Sequence, residues 1–173
     1  SVLGLGQTGL DACRRLKDLG FNVTGWARSE KTLDGVRCLA GDDAFETVVR
    51  EADILVNLLP LTPKTIDILN ARVFDRMPKG SFLINVSRGS TVVDTDLLAA
   101  LNTGQIEAAA LDVFREEPLP EDNPYWGHPA VSITPHAAAP TNEGSAAEFI
   151  ARQIRIAMDG GKPEPIVDMV QGY

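Results

Sequence analysis

Three polar residues stand where apolar runs of the chain end. Arg88 follows the run Ser81–Val86, Glu117 comes shortly after the run ending at Asp112-Val113, and His136 follows Val131–Thr134. A guanidinium is the natural bidentate partner of a carboxylate. An imidazole can give or take a proton near neutral pH, and a neighbouring carboxylate would fix its tautomer. Together the three side chains suit the interconversion of a 2-oxo acid and a 2-hydroxy acid, provided that something else carries the hydride. Each also has a plainer reading. Arg88 would serve as a strand-end ion pair. Glu117, between Glu116 and Pro118, would serve as a solvated loop acid. His136 would be structural, and it competes with His128, the only other histidine.

A hydride carrier is suggested at the other end of the chain. Gly4-Leu5-Gly6-Gln7-Thr8-Gly9 fits GxGxxG between an apolar run and an amphipathic one. The first glycine allows a tight turn, the second lets a pyrophosphate approach the backbone, and the third lets helix and strand pack closely. The following helix N-terminus, with Gln7 and Thr8, offers N–H groups and a favourable dipole. A strand before and a helix after are the context that the pattern requires. The end of the second apolar run should meet the adenosine ribose. An NAD site wants an acid there, whereas this chain has Trp26-Ala27-Arg28-Ser29, with Glu30 beyond. Arg28 would grip a 2′-phosphate by charge-assisted bonds and the Ser29 hydroxyl would add another, which favours NADP over NAD. Arg28 also reads as a solvated loop charge. Asp112 reads either as a strand-end cap or as a partner for a nicotinamide amide.

The elements needed to position these groups alternate along the chain, as in a βαβ architecture. Strands are expected at Ser1–Leu5, Phe21–Ala27, Val36–Leu39, Ile54–Leu59, Ser81–Val86, Ala108–Val113 and Val131–Thr134. Helices are expected at Thr8–Leu19, from a cap at Asp42 or Asp43 through Glu51, after a cap at Asn70 until Pro78-Lys79-Gly80, at Asp94–Asn102 and at Glu143–Met158. The continuous apolar runs fit strands covered on both faces. The expected fold is therefore α/β, a Rossmann-type doubly wound parallel sheet forming a nucleotide-binding domain. In such sheets ligands bind outside the carboxyl ends of the strands, where the glycine turn, Arg88, Glu117 and His136 all fall. The Pro-rich stretch from Arg115 to Pro129 is a long loop of the kind that usually has a function.

Bulk properties narrow the partners. The chain has 173 residues, 44% of them hydrophobic and 23% charged, with a formal net charge of -8. That acidity argues against nucleic acid or an anionic membrane as a partner. No apolar run is long enough to span a bilayer and no secretory signal is visible. Cys13 and Cys38 form neither a CxxC pair nor part of a metal cluster, so they read as reduced thiols of a cytoplasmic protein, with no metal site. Ser1-Val2-Leu3 enters the glycine motif with almost no lead-in, so the N-terminus is expected to be cut.

Taken together, GLGQTG, GWARS, NLLPLTPKT, LINVSRGSTVVDTDLLAAL, ALDVFREEPLP and TPHAAA appear in an order that resembles the D-isomer-specific 2-hydroxyacid dehydrogenases, and within them the glyoxylate/hydroxypyruvate reductase branch. The resemblance covers almost the whole chain. It implies Arg88 as ligand of the substrate carboxylate and carbonyl, Glu117 as the orienting acid and His136 as the proton donor. It implies Asp112 at the nicotinamide amide, and Leu59, Pro60, Thr65, Val86, Ser87, His136 and Ala138 as further cofactor contacts. Arg28-Ser29 matches the NADP-preferring branch.

It also implies a division at residue 142. Residues 1–142 would form the nucleotide-binding domain, and residues 143–173 a returning helix and tail belonging to a second, substrate lobe. That lobe would otherwise come from an N-terminal segment on the order of a hundred residues, which is not part of this sequence. The chain alone should then keep the fold, bind cofactor and turn over poorly, because nothing closes the cleft against water. The full-length protein is expected to be a homodimer acting on a small 2-oxo acid. Two other readings remain open on sequence: a nucleotide-sensing corepressor or scaffold acting through protein partners, and formate or phosphite oxidation on the same fold. The formate branch carries Gln at the position of Glu117.

Overall fold

The computed structural model describes residues 1–139, 143–164 and 166. Its contacts form two compact units, Ser1–His136 and Ala137–Tyr173. The division expected after residue 142 falls at a residue outside the described set, as does most of the tail Lys162–Tyr173.

The first unit is built on seven strands: β1 (Val2–Leu3), β2 (Thr24–Ala27), β3 (Arg37–Ala40), β4 (Ile54–Asn57), β5 (Ser81–Asn85), β6 (Ile106–Leu111) and β7 (Val131–Ile133). They form one sheet in the order β3-β2-β1-β4-β5-β6-β7, and every paired neighbour runs parallel. The order reverses at β1, the topological switch point where doubly wound sheets bind ligands. Helices α1 (Gln7–Asp18), α2 (Asp42–Arg50), α3 (Ala71–Phe74) and α4 (Asp94–Asn102) lie in four of the six connections.

Period-2 alternation divides the core between the two faces of the sheet. Val2 joins Leu5, Cys13 and Ala27, with Leu10 and Leu16 of α1 packed against them. Leu3 points the other way, into the larger cluster of Val48, Val49, Leu55, Phe74, Leu83, Leu97 and Ile106. The thiols of Cys13 and Cys38 are free, and burial pushes that of Cys13 up to about 11. No described helix is long and apolar enough to cross a membrane.

The element order matches expectation, but several boundaries differ for physical reasons. Strand β2 begins at Thr24 rather than Phe21, because the Phe21 N–H bonds the Leu16 carbonyl and the Gly20 N–H that of Lys17. This pair of bonds closes α1, with Gly20 at φ +91°. Strand β1 stops at Leu3 rather than Leu5 because Gly4, at φ +98°, turns the chain away once its N–H has bonded the Trp26 carbonyl. Strand β4 stops at Asn57 rather than Leu59, since the Leu59 N–H bonds the Asn57 side chain instead of a neighbouring strand. Strand β6 begins at Ile106, where the sequence suggested Ala108, with Ile106 fully buried opposite Ser81.

Two expected caps are also corrected. Gly41, not Asp42 or Asp43, is the N-cap of α2; both acids lie inside its first turn, where they favour the dipole without capping it. Asn70 occupies the N-cap of α3, but its amide donates to the Asp67 carbonyl, and the Asp96 carboxylate of α4 accepts from the Ala71 N–H at 2.8 Å. The stretch from Arg115 to Pro129 contains a 3-10 turn at Pro124–Gly127, anchored by the buried Tyr125.

The second unit contains α5 (Glu143–Met158), with the bounds expected from sequence.

Candidate active site at the strand carboxyl ends

The glycine turn is shaped by close approach. A Cβ on Gly4 would lie 2.6 Å from the Leu58 carbonyl oxygen, and one on Gly9 would lie 1.8 Å from the Gly4 carbonyl oxygen. Neither position tolerates a side chain without movement of backbone. A Cβ on Gly6 would meet nothing within 4 Å, so the space beside the second glycine is open to an incoming group. Gly6 is the N-cap of α1, no side chain caps the helix, and no acid lies in its first turn. The N-terminal turns of α2 and α4, by contrast, carry Asp42 and Asp43, and Asp94 and Asp96. An uncompensated helix N-terminus beside open space fits the pyrophosphate of a dinucleotide. Gln7 and Thr8 are exposed there, and Arg28 and Ser29 are exposed just beyond the end of β2. Trp26, before them, is fixed by its indole N–H to the Gly41 carbonyl at 2.9 Å and by an edge contact with Phe45.

Next along the sheet, a buried polar network ties the ends of β4 and β5 together. Parallel register places Asn57 opposite Asn85. The Asn57 amide donates to the Asn85 side-chain oxygen at 3.0 Å and to the Thr91 hydroxyl oxygen at 2.7 Å. The Thr91 hydroxyl in turn donates to the Arg88 carbonyl at 2.7 Å, and the Asn85 side-chain oxygen accepts from the Ser87 N–H. The Ser87 hydroxyl bonds the Leu59 carbonyl. Thr65 donates to the Pro60 carbonyl at 2.6 Å and accepts from the Thr62 N–H at 2.8 Å. The hydroxyls of Ser87 and Thr65, expected at the cofactor, thus bond the two loops and hold their shape. Val86 donates its N–H to the Asn57 carbonyl.

Arg88 leaves this framework in extended backbone (φ −140°, ψ 141°) and is exposed, one guanidinium nitrogen donating to the Ser87 carbonyl at 2.7 Å. Among the described residues no carboxylate pairs with it, so the strand-end ion pair does not form.

The third part is the His136–Glu117 pair. His136 Nδ1 lies 2.8 Å from Glu117 Oε2, and the other carboxylate oxygen accepts from the Phe114 N–H at 2.8 Å. The bond with His136, aided by that from Phe114, holds the Glu117 carboxyl below its ordinary range. His136 has φ +53°, a left-handed conformation held by its N–H bond to the Asp112 carbonyl at 2.8 Å. Asp112 itself is buried, accepts from the Thr134 hydroxyl at 2.5 Å and donates its N–H to the Asn85 carbonyl. With Nδ1 engaged, Nε2 is the histidine nitrogen left to exchange a proton. The imidazole of His128 accepts from the Ala130 N–H through Nδ1, a local structural bond. Ala138 is exposed and belongs to the second unit.

The structure thus brings Asp112, Glu117 and His136 into one bonded group and places the Asn57–Asn85–Thr91 network directly beneath Arg88. Sequence reasoning missed Asn57 and Thr91. A signal was present, since Asn57 and Asn85 each end a strand directly after three apolar residues, 54–56 and 82–84. Among the described residues no group of three or more His, Cys, Asp or Glu side chains is placed to hold a metal.

Comparison with known proteins shows the family and the fold. The family model described as "D-isomer specific 2-hydroxyacid dehydrogenase, NAD binding domain" matches residues 1–138. The chain is 42% identical to a glyoxylate/hydroxypyruvate reductase A of Yersinia enterocolitica over 172 residues, 99% of this chain and 55% of that protein. It superposes with a TM-score of 0.96, at 41% identity, on a D-isomer specific 2-hydroxyacid dehydrogenase from Xanthobacter autotrophicus Py2 in complex with NADPH and MES, covering 99% of this chain and 71% of that one. An NADPH-dependent glyoxylate/hydroxypyruvate reductase from Sinorhizobium meliloti, in complex with NADP and sulfate, gives a TM-score of 0.94 at 36% identity, covering 99% and 56%. The chain spans about half the length of the curated relatives that it matches.

Proposed function

Because the chain belongs to the D-isomer specific 2-hydroxyacid dehydrogenase family, whose NAD-binding domain it carries, we propose that it is the cofactor-binding part of a reductase that converts a small 2-oxo acid to the 2-hydroxy acid with NADP(H). The observation that carries the reading is the bonded pair His136–Glu117, which follows the carboxyl ends of the parallel strands as do Arg88 and the glycine turn. The names of the Yersinia and Sinorhizobium relatives support a substrate of the glyoxylate or hydroxypyruvate type, and the NADPH and NADP complexes of the neighbours support the cofactor. The scaffold and formate readings draw no support from these names.

In this reading Gly4, Gly6, Gln7, Thr8 and Gly9 hold the pyrophosphate, and Arg28 and Ser29 hold the 2′-phosphate. Leu59, Pro60, Thr65, Val86 and Ser87 are further cofactor contacts, and Asp112 takes the nicotinamide amide. The bound nicotinamide would supply the hydride. Arg88 binds the substrate carboxylate and polarises the carbonyl. His136 delivers a proton to the carbonyl oxygen from Nε2, while Glu117 holds the ring by Nδ1 and stabilises its cationic form before transfer. Family resemblance extends the proposal to a cytoplasmic homodimer for the whole protein.

The test is NADPH consumption with glyoxylate by the whole protein. His136→Asn should lose about 10²–10⁴-fold in kcat, the usual range for a general acid, and Arg88→Gln should both raise KM and lower kcat, since it loses carboxylate binding and carbonyl polarisation. Unchanged turnover in His136→Asn would contradict the proposal.

A further inference from the structure

The turn that carries Glu117 is held against the segment that carries Arg88 by a side chain outside the site. Arg115 Nε donates to the Val92 carbonyl at 2.9 Å, and its terminal nitrogen bonds both that carbonyl and the Asp67 carboxylate. Asp94 Oδ2 lies 3.9 Å from Nε, and the other Asp94 oxygen accepts from the buried Tyr125 hydroxyl at 3.1 Å. One guanidinium therefore joins three stretches of chain: Asp67 in the loop after Thr65, Val92 in the segment after Arg88, and the turn from Phe114 to Glu117.

The same stretches are already in close register. Asp67 donates its N–H to the Ser90 carbonyl, Leu69 to that of Thr91, and Val93 to that of Leu69. Gly89, beside Arg88, has no room for a side chain, because a Cβ would lie 1.9 Å from the Phe114 carbonyl carbon. Asp67 has φ +56°, a left-handed conformation that L residues with a Cβ adopt at a cost. Glycine would suit that backbone better, and what Asp67 adds is its carboxylate. An exposed ion pair of its own contributes little. A planar fork that reaches a main-chain carbonyl and an acid together fixes geometry, which a lysine ammonium would not reproduce.

The geometry points to Arg115, with Asp67, as a positioning clamp that sets the Glu117–His136 pair relative to Arg88. The inference rests on reading those three residues as one site, and its test uses neither substrate nor cofactor, so it can fail while the reductase reading stands, and the reverse. The Glu117 carboxyl is followed by isotope-edited NMR through an acid titration of the full chain, of Arg115→Gln and of Asp67→Gly, each first shown to be folded by its amide spectrum. In the unchanged chain the midpoint should lie below the ordinary 4.5. In Arg115→Gln it should rise toward 4.5 as the turn loosens and the bonds from His136 and Phe114 are lost. In Asp67→Gly it should rise by less, because Val92 still holds Arg115. The glycine also relieves the left-handed strain, so a rise there cannot come from a weakened fold. A midpoint unmoved in either folded variant overturns the clamp.

Discussion

His136 Nδ1 and Glu117 Oε2 lie 2.8 Å apart, although the residues stand 19 positions apart in the chain and on different loops. The bond lowers the Glu117 carboxyl from its ordinary 4.5. A carboxyl whose folded value is depressed adds stability that is complete above its unfolded value and is lost as pH falls through the folded one. The Tm difference between the chain and Glu117→Gln should therefore be full above pH 4.5 and shrink below it. Thermal melts across that range check this, and a difference independent of pH would count against the bond.

The glycine turn separates folding from binding. Gly9→Ala places a Cβ 1.8 Å from a backbone oxygen and should destabilise the chain by about 1–3 kcal/mol, the usual cost of overpacking. Gly6→Ala meets nothing within 4 Å, so its Tm should stay unchanged while NADPH affinity falls by ~10-fold or more, equivalent to about 1.4 kcal/mol. Melting and NADPH titration of the two variants side by side check the contrast.

Asn57 donates to both Asn85 and Thr91 in a fully buried setting. Asn57→Ala removes the donor to Thr91 and one of two donors to the Asn85 oxygen, and leaves the Leu59 N–H without its acceptor, at a cost of about 1–3 kcal/mol for an unsatisfied buried group. At this chain length that corresponds to a fall in Tm of roughly 5 °C, measurable by calorimetry. A melt indistinguishable from the parent would mean that the network is not a structural tie.

Burial raises the Cys13 thiol to about 11, so little thiolate forms at mild pH. Under native conditions at pH 8 Cys13 should resist alkylation and should react once denaturant opens the core. Peptide mapping after iodoacetamide treatment checks this, and rapid native labelling of Cys13 would contradict its burial.

Much of this arrangement is legible in the sequence because its signals are local. Short apolar runs between amphipathic stretches mark the buried parallel strands, and Gly4, Gly6 and Gly9 declare the turn by their spacing together with the strand before and the helix after them. Strand ends are less legible. Phe21 looks like the start of β2, yet its N–H is spent closing α1 on Leu16. Least legible are the ties that arise from register. Asn57 meets Asn85 only because β4 and β5 are adjacent and parallel, and Arg115 meets Asp67 across 48 residues of chain. Neither pairing has a sequence period, so only the folded sheet reveals it.

In the proposed function the turn at Gly4–Gly9 and the tip at Arg28-Ser29 hold a phosphorylated dinucleotide. The most direct measurement is a titration of NADPH and NADH against the chain and against Arg28→Ala, at one fixed ionic strength because salt screens the phosphate contacts. The account predicts tighter NADPH binding in the parent, by ~10-fold or more, and loss of that preference in Arg28→Ala with NADH binding unchanged. Equal binding of the two cofactors by the parent, or a preference for NADPH that survives Arg28→Ala, would contradict it.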